Sequence, residues 1–189
     1  MATPPRAKRA FDVAGALAGL LVFAAPMAIV AAAILLADGR PLLFRQARLA
    51  VRRRPFTILK FRSMRNGEVT AVGRVLRATG LDELPQLLNV LAGDISAVGP
   101  RPLTEADVHR LGWTTEASDF RWSVPQGLTG LAQVVGARSD QHALRLDRRY
   151  IARQNLRLDT QLIAWSFAVN LLGKRRVHRL ISGSRRRRP

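Results

Sequence analysis

The sequence predicts a mainly helical α+β fold attached to a membrane, and three observations carry that prediction. One is an uncharged run of 25 residues from Val13 to Ala37. Another is the segment FTILKF (56–61), rich in the β-branched and aromatic residues that favour strands. The third is the helical spacing of apolar residues over 72–91, together with the strongly apolar segment 158–172. At 189 residues the chain makes one domain with at most one appended element, and a hydrophobic content of 48% suffices to bury a core.

The uncharged run is longer than the about 20 residues that cross a bilayer as helix. It is also longer than the apolar core of a cleavable signal peptide, roughly 7–15 residues. Arg6, Lys8 and Arg9 precede it, and Arg40, Arg45, Arg48, Arg52, Arg53 and Arg54 follow it. Both flanks therefore qualify as the cytoplasmic side under the positive-inside rule. Pro26 removes a backbone donor and clashes with the carbonyl of Val22, so a break is expected there. A kinked spanning helix and a helix that dips in and returns to the same face both accommodate the proline; only the second satisfies both flanks.

Residues 41–64 read as two short strands around a basic turn. A helical stretch follows, with Val72, Val75 and Leu76 before Gly80, and Leu84, Leu87, Leu88 and Leu91 around Pro85. GDISAVGPRP (93–102) is a loop punctuated by Gly and Pro, a polar stretch runs to about Ser123, and GLTGLAQVVG (127–136) is a second Gly-rich turn. Residues 158–172 form an apolar helix too short to span comfortably. Its Trp165 and Phe167 suit a membrane interface, and a core position is the alternative. The tail, KRRVHRLISGSRRRRP, carries eight Lys/Arg and no acid. It reads as solvated, or as an anchor for anionic membrane lipids at roughly 1 kcal/mol per basic residue. The organisation expected is a membrane-embedded segment over 1–40, a main domain over 41–173 and a basic tail over 174–189.

A net charge of +18 calls for an anionic partner: nucleic acid, phosphate-rich substrate or anionic membrane. Aromatic content is only 6% and no nucleic-acid-binding motif is present, so nucleic acid is not the expected partner. Neither GxxxxGK[ST] nor GxGxxG occurs. The chain has no cysteine, which excludes disulfides and thiolate zinc sites. His109, His142 and His178 are scattered without helical metal-site spacing.

LDELPQ (81–86) holds the chain's only adjacent carboxylates, Asp82 and Glu83. Asp is a favoured N-cap, and Glu and Pro suit a first helical turn, so the pair serves as a helix start. The same position at the positive end of a helix keeps a carboxylate ionised where phosphates gather. There an Asp can attack phosphorus, and a neighbouring Glu can ligate a metal or move a proton. Arg101 stands between Pro100 and Pro102, whose fixed φ angles would hold its planar fork toward a phosphate; a plain surface turn is the alternative.

KFRSM (60–64), LDELPQLLNVL (81–91), GDISAVGPRP (93–102) and GLTGLAQV (127–134) occur in this order in the bacterial sugar transferases, the monotopic polyprenyl-phosphate phosphoglycosyl transferases. The chain resembles that family from about Lys8 to Leu172. The resemblance implies a Mg²⁺-dependent enzyme at the cytoplasmic face of the bacterial inner membrane. Its donor would be a nucleotide-diphosphate sugar, usually a UDP-sugar, and its acceptor polyprenyl (undecaprenyl) phosphate. Asp82 would attack the sugar-bearing phosphate, release UMP and hold a covalent phosphosugar for the acceptor to take, starting an exopolysaccharide or glycoconjugate. Glu83 would be the metal ligand or proton-handling partner, with Asp82 beside the same metal, and Arg101 would bind phosphate. Lys60 and Arg62 would make phosphate or structural contacts. Pro26 would be the break of a re-entrant helix.

Four positions depart from the family pattern. Gly80 stands where Ser is usual, Ala50 and Arg53 where glycines are usual in the strand turn, and Gln126 where Pro is common. The segment RNGEVTA (65–71) is short for a loop that covers the site in relatives. A basic membrane-tethered binding protein and a catalytically degenerate homologue are the rival readings. The expected fold is thus α+β and mainly helical: a re-entrant membrane helix, a short β-hairpin, catalytic helices and an interfacial amphipathic C-terminal helix.

Overall fold

The computed structural model describes residues 6–172. The uncharged run becomes two helices, α1 (Arg6–Val22) and α2 (Ala24–Asp38), bent by 60°. The break falls at Phe23, three residues ahead of Pro26. Pro26 sits in the first turn of α2, where its missing N–H leaves the carbonyl of Val22 without the donor that would continue α1. No single described helix is long and apolar enough to cross a membrane, although the bent pair qualifies by length and composition.

The two expected strands, β1 (Leu43–Leu49) and β2 (Pro55–Phe61), pair antiparallel with Phe44 opposite Lys60 and Arg48 opposite Phe56. In the basic turn between them Arg52 and Arg53 take φ of 55° and 58°, a conformation usually left to glycine. Arg53 is held there by an ion pair with Asp119 at 2.7 Å and by the Trp122 ring at 5.2 Å. RNGEVTA lies around a tight hairpin of β3 (Met64–Arg65) and β4 (Glu68–Val69), turned by Asn66 and Gly67 at positive φ.

Next come α3 (Ala71–Thr79), N-capped by Thr70, and α4 (Gln86–Ala92), which stops at the left-handed Gly93. The two Gly-rich loops are more regular than expected. They contain β5 (Ser96–Val98) and β6 (Gly127–Thr129), paired in parallel. Gly99 and Gly127 pass so close that a Cβ on either would strike the other backbone, which is why this crossing is glycine-rich. Gln126 is fully buried, and its carbonyl accepts from Ser96 in that pairing. The short α5 (Glu105–Arg110), α6 (Glu116–Asp119) and α7 (Leu131–Val135) lead to α8 (Asp140–Arg153) and α9 (Leu156–Leu172).

The bent pair is packed along the rest of the protein rather than apart from it. Ala16 lies in a core cluster with Phe56, Ile58 and Val90, and Val30 and Ile34 in another with Phe61 and Leu76. Several basic residues that the sequence offers as membrane-facing flanks are used internally. Lys8 is buried against Asp159 at 2.7 Å, inside a network that joins Tyr150 (2.8 Å from Asp159) and the Asp12–Ser96 bond at 3.0 Å. Arg9 donates to the carbonyls of Val90 and Leu91 at 2.6 and 2.7 Å, closing the C-terminal end of α4. A buried or half-buried cation with a fixed acceptor gains more from it than from a distant headgroup.

Helix α9 takes the core placement on one side and leaves an apolar side chain uncovered on another. Leu162 and Val169 are buried, whereas Phe167 is 49% exposed and stacks on Phe23 with ring centroids 6.3 Å apart. The basic tail 174–189, with His178, lies outside the described residues.

Candidate active site

Asp82 and Glu83 lie in a 3₁₀ turn, Leu81–Glu83, between Gly80 and the Pro85 that opens α4. The N-cap role expected of Asp82 is not what the fold makes of it: no side chain caps this turn or α4. Pro85 needs no cap for its absent N–H, and the turn closes itself through Glu83 N–H to the Gly80 carbonyl at 3.2 Å. The two carboxylates are thereby free to face a cleft.

That cleft has a volume of about 660 Å³ and brings together five residues singled out from the sequence: Asp82, Glu83, Lys60, Arg62 and Arg101. Lys60 reaches across from β2 and places its ammonium 2.6 Å from Glu83 Oε1. Arg62 borders the cleft, but its guanidinium is committed elsewhere, donating at 2.8 Å to each of the carbonyls of Asp38 and Gly39 at the end of α2. Of the two roles open to it, the structural one is observed. Pro26 is not among the lining residues.

Arg101 projects an exposed side chain from a fixed backbone. Pro100 and Pro102 on either side are buried, and the Arg101 carbonyl accepts from Arg121 at 3.1 Å. Arg121 is itself 1% exposed, paired with Asp147 at 2.7 Å and packed on the Trp113 ring at 4.6 Å. A loop tied to a buried, charge-paired guanidinium moves little, so its side chain starts from a set position.

Other cleft residues escaped the sequence analysis, chiefly Arg48, Arg77, Gln133 and Asn170. Period-two alternation could have found the first: Phe44, Gln46 and Arg48 share the β1 face opposite Lys60. Arg48 donates to Gln46 at 2.6 Å and to Asp107 at 3.3 Å. Burial, and then the like charge of Arg101, push its pKa down, while Asp107 and Glu83 pull the other way. Arg77 is held by Ser63 at 2.9 Å. Asn170 comes from the far end of α9, and no local pattern announces it.

Burial is the main reason the Asp82 carboxyl titrates above its usual range. Glu83 adds to the shift, and Lys60 and Arg77 oppose it. A carboxylate so placed is more basic, hence a better nucleophile, than an ordinary aspartate. Arg48, Arg77 and Arg101 surround the pair and give the cleft a basic lining, the side-chain chemistry that suits phosphate groups. Among the described residues no group of three or more acidic, His or Cys side chains forms a protein-only metal cage. Two adjacent carboxylates do fit Mg²⁺, which is commonly held by one or two carboxylates together with substrate phosphates and water.

Residues 4–173 match the family described as bacterial sugar transferase. A Caulobacter vibrioides protein named UDP-glucose:undecaprenyl-phosphate glucose-1-phosphate transferase is 42% identical over 161 residues, covering 77% of this chain and 60% of that protein. The Escherichia coli K12 protein of the same name is 34% identical over 177 residues, covering 82% of this chain and 38% of its own length. The exopolysaccharide production protein PSS of Rhizobium leguminosarum bv. phaseoli is 34% identical over 187 residues, covering 82% of this chain and 90% of that protein.

Proposed function

The chain belongs to the bacterial sugar transferase family, and from that premise we propose that it moves a sugar-1-phosphate from a UDP-sugar to polyprenyl phosphate, releasing UMP. The observation that supports this most directly is the basic cleft in which a carboxylate of raised pKa stands beside a Lys-paired Glu. The names of the Caulobacter and E. coli relatives support undecaprenyl phosphate as acceptor, and that of the Rhizobium relative supports a place in exopolysaccharide formation.

In the first step an Asp82 carboxylate oxygen bonds to the sugar-bearing phosphorus, the bridging P–O bond to the nucleotide breaks, and UMP leaves with the electron pair. In the second step an oxygen of polyprenyl phosphate bonds to the same phosphorus, and Asp82 leaves as carboxylate. Arg101 and Arg48 bind the phosphates and offset charge that builds on their oxygens. Lys60 fixes the position of Glu83 through its ion pair at 2.6 Å. Asp82 and Glu83 would hold Mg²⁺, which when bound neutralises phosphate charge. The bent α1–α2 pair would embed in the cytoplasmic face of the inner membrane as a re-entrant segment and bring the cleft to the lipid.

Incubating the purified chain with Mg²⁺ and a panel of UDP-sugars, without acceptor, tests the scheme. Intact-mass spectrometry should detect a phosphosugar adduct together with released UMP, and Asp82→Asn should form no adduct. An adduct that persists in Asp82→Asn would remove the nucleophile assignment. No UMP from any UDP-sugar, with or without acceptor, would remove the activity.

A further inference from the structure

A second, smaller cavity adjoins the cleft. It has a volume of about 230 Å³ and runs between α1, α4 and α9. Its outer part is apolar, walled by Phe11, Phe23, Leu87, Ile163 and Phe167. At its inner end Gly80, Glu83, Thr129, Ser166 and Asn170 line this cavity and the basic cleft alike. One wall is built from absence: Gly15 and Gly19, one helical turn apart on α1, present no side chains. A Cβ at Gly15 would meet nothing within 4 Å, whereas one at Gly19 would lie 3.0 Å from Leu87. At the outer end stands Phe23, at the α1–α2 bend, directly after Leu21 and Val22, which are 81% and 69% exposed.

We propose that this groove seats the first isoprene units of the acceptor lipid, with its phosphate in the cleft. The inference rests on the transferase reading above and adds the place and direction of acceptor entry. The occupant is specified from both ends. The groove opens beside exposed apolar side chains and leads to arginines, so it matches an amphiphile with an anionic head and an apolar tail. Its volume is below the ~300–1,000 Å³ of a site that encloses a whole drug-sized ligand, so it takes only the head-proximal part of a long chain. The nucleotide then uses the polar side of the dyad and the lipid the apolar side. That arrangement suits a phosphorus which meets a carboxylate first and a lipid phosphate second.

A prenyl phosphate with a photoreactive group on its second isoprene unit tests the seat without requiring turnover. Irradiated with the full-length chain in lipid nanodiscs, it should label peptides from 11–23 and 163–167. Labelling confined to other peptides overturns the proposal. So does equal competition by phosphatidylglycerol and by unlabelled prenyl phosphate, which would make the groove a general acyl-chain site. Gly15→Phe supplies a second arm, because the ring enters open space. Rates are taken per active site counted by UMP release without acceptor, and selectivity is the kcat/KM ratio of prenyl phosphate to methyl phosphate. Losing burial of one five-carbon unit should lower that ratio about 10-fold or more. An unchanged ratio overturns the groove, whereas absence of UMP release in the unmodified protein refutes the transferase reading instead; the label map stands independently of that result.

Discussion

Replacing Gly80 by alanine gives a change whose sign separates two views of this residue. A glycine that is merely tolerated gains about 0.4–1 kcal/mol when alanine reduces the freedom of the unfolded chain. Gly80 instead sits at φ 75° and ψ 8°, the left-handed end of α3, where an L-residue costs roughly 1–2 kcal/mol. The added Cβ would also lie 2.6 Å from Nδ2 of Asn170, an exposed amide that can swing aside, so backbone strain dominates. For a protein of this size each kcal/mol moves Tm by about 2–4 °C, and the expected loss is therefore about 2–8 °C. Gly80→Asn should lose less than either alanine or serine, because Asn enters this region more easily. Activity should fall with stability, since the Gly80 carbonyl closes the turn that carries Asp82 and Glu83. Scanning fluorimetry and initial rates of UMP release read both quantities. A Tm of Gly80→Ala equal to or above that of the unmodified protein would refute the left-handed assignment, and with it this account of why serine is absent there.

Three other outcomes follow from particular contacts. Because the folded Asp82 carboxyl has a raised pKa, the fold favours its protonated form; the stability this gives is present at low pH and lost as pH rises through that value. In metal-free buffer the Tm advantage of Asp82→Asn over the unmodified protein should therefore open as pH rises from below about 4, then level off, and a gap that closes instead would contradict the shift. Lys60→Met leaves Glu83 without the ammonium 2.6 Å away and should lower kcat by ~10–100-fold with the fold retained by circular dichroism. Arg9→Met removes two charge-assisted bonds to the end of α4 and should cost about 2 kcal/mol, seen as a Tm drop of about 4–8 °C.

What could be read in the sequence was local, and what could not was set by distant partners. LDELPQ, KFRSM and Pro-Arg-Pro announce a site because adjacent acids, a strand-borne Lys and a proline-clamped Arg are each unusual within a few residues. All reach one cleft, yet Asp82 caps nothing, since Gly80 and Pro85 end one helix and begin the next without it. Arg62 and Lys60 stand two apart in one motif, but one serves a helix end and the other the dyad, a division fixed by α2 and by the turn at 81–83. Arg48 was hidden among flank charges because its meaning depends on sharing a strand face with Gln46. The parallel β5–β6 pair joins segments some thirty residues apart whose glycines read locally as turns.

The internal use of flank charges also bears on topology. Counting Lys and Arg on both sides of the uncharged run assumes that they face headgroups, but Lys8 and Arg9 do not. A firmer indication comes from what grips the run. Its beginning is held by Lys8 on Asp159 and Arg9 on α4, and its end by Arg62 on the carbonyls of Asp38 and Gly39. One polar domain thus holds both ends, whereas a spanning helix would set them apart by a hydrocarbon core about 30 Å thick. The 60° bend at Phe23 leaves Leu21, Val22 and Ile29 uncovered in the middle of the run, where immersion would cover them. Ala7→Cys and Arg40→Cys, both at exposed positions in a chain without native cysteine, should react with a membrane-impermeant maleimide from the same, cytoplasmic side. Inside-out and right-side-out vesicles distinguish the sides, and the two positions labelling from opposite faces would mean that the run crosses the bilayer and that one of these grips is broken there.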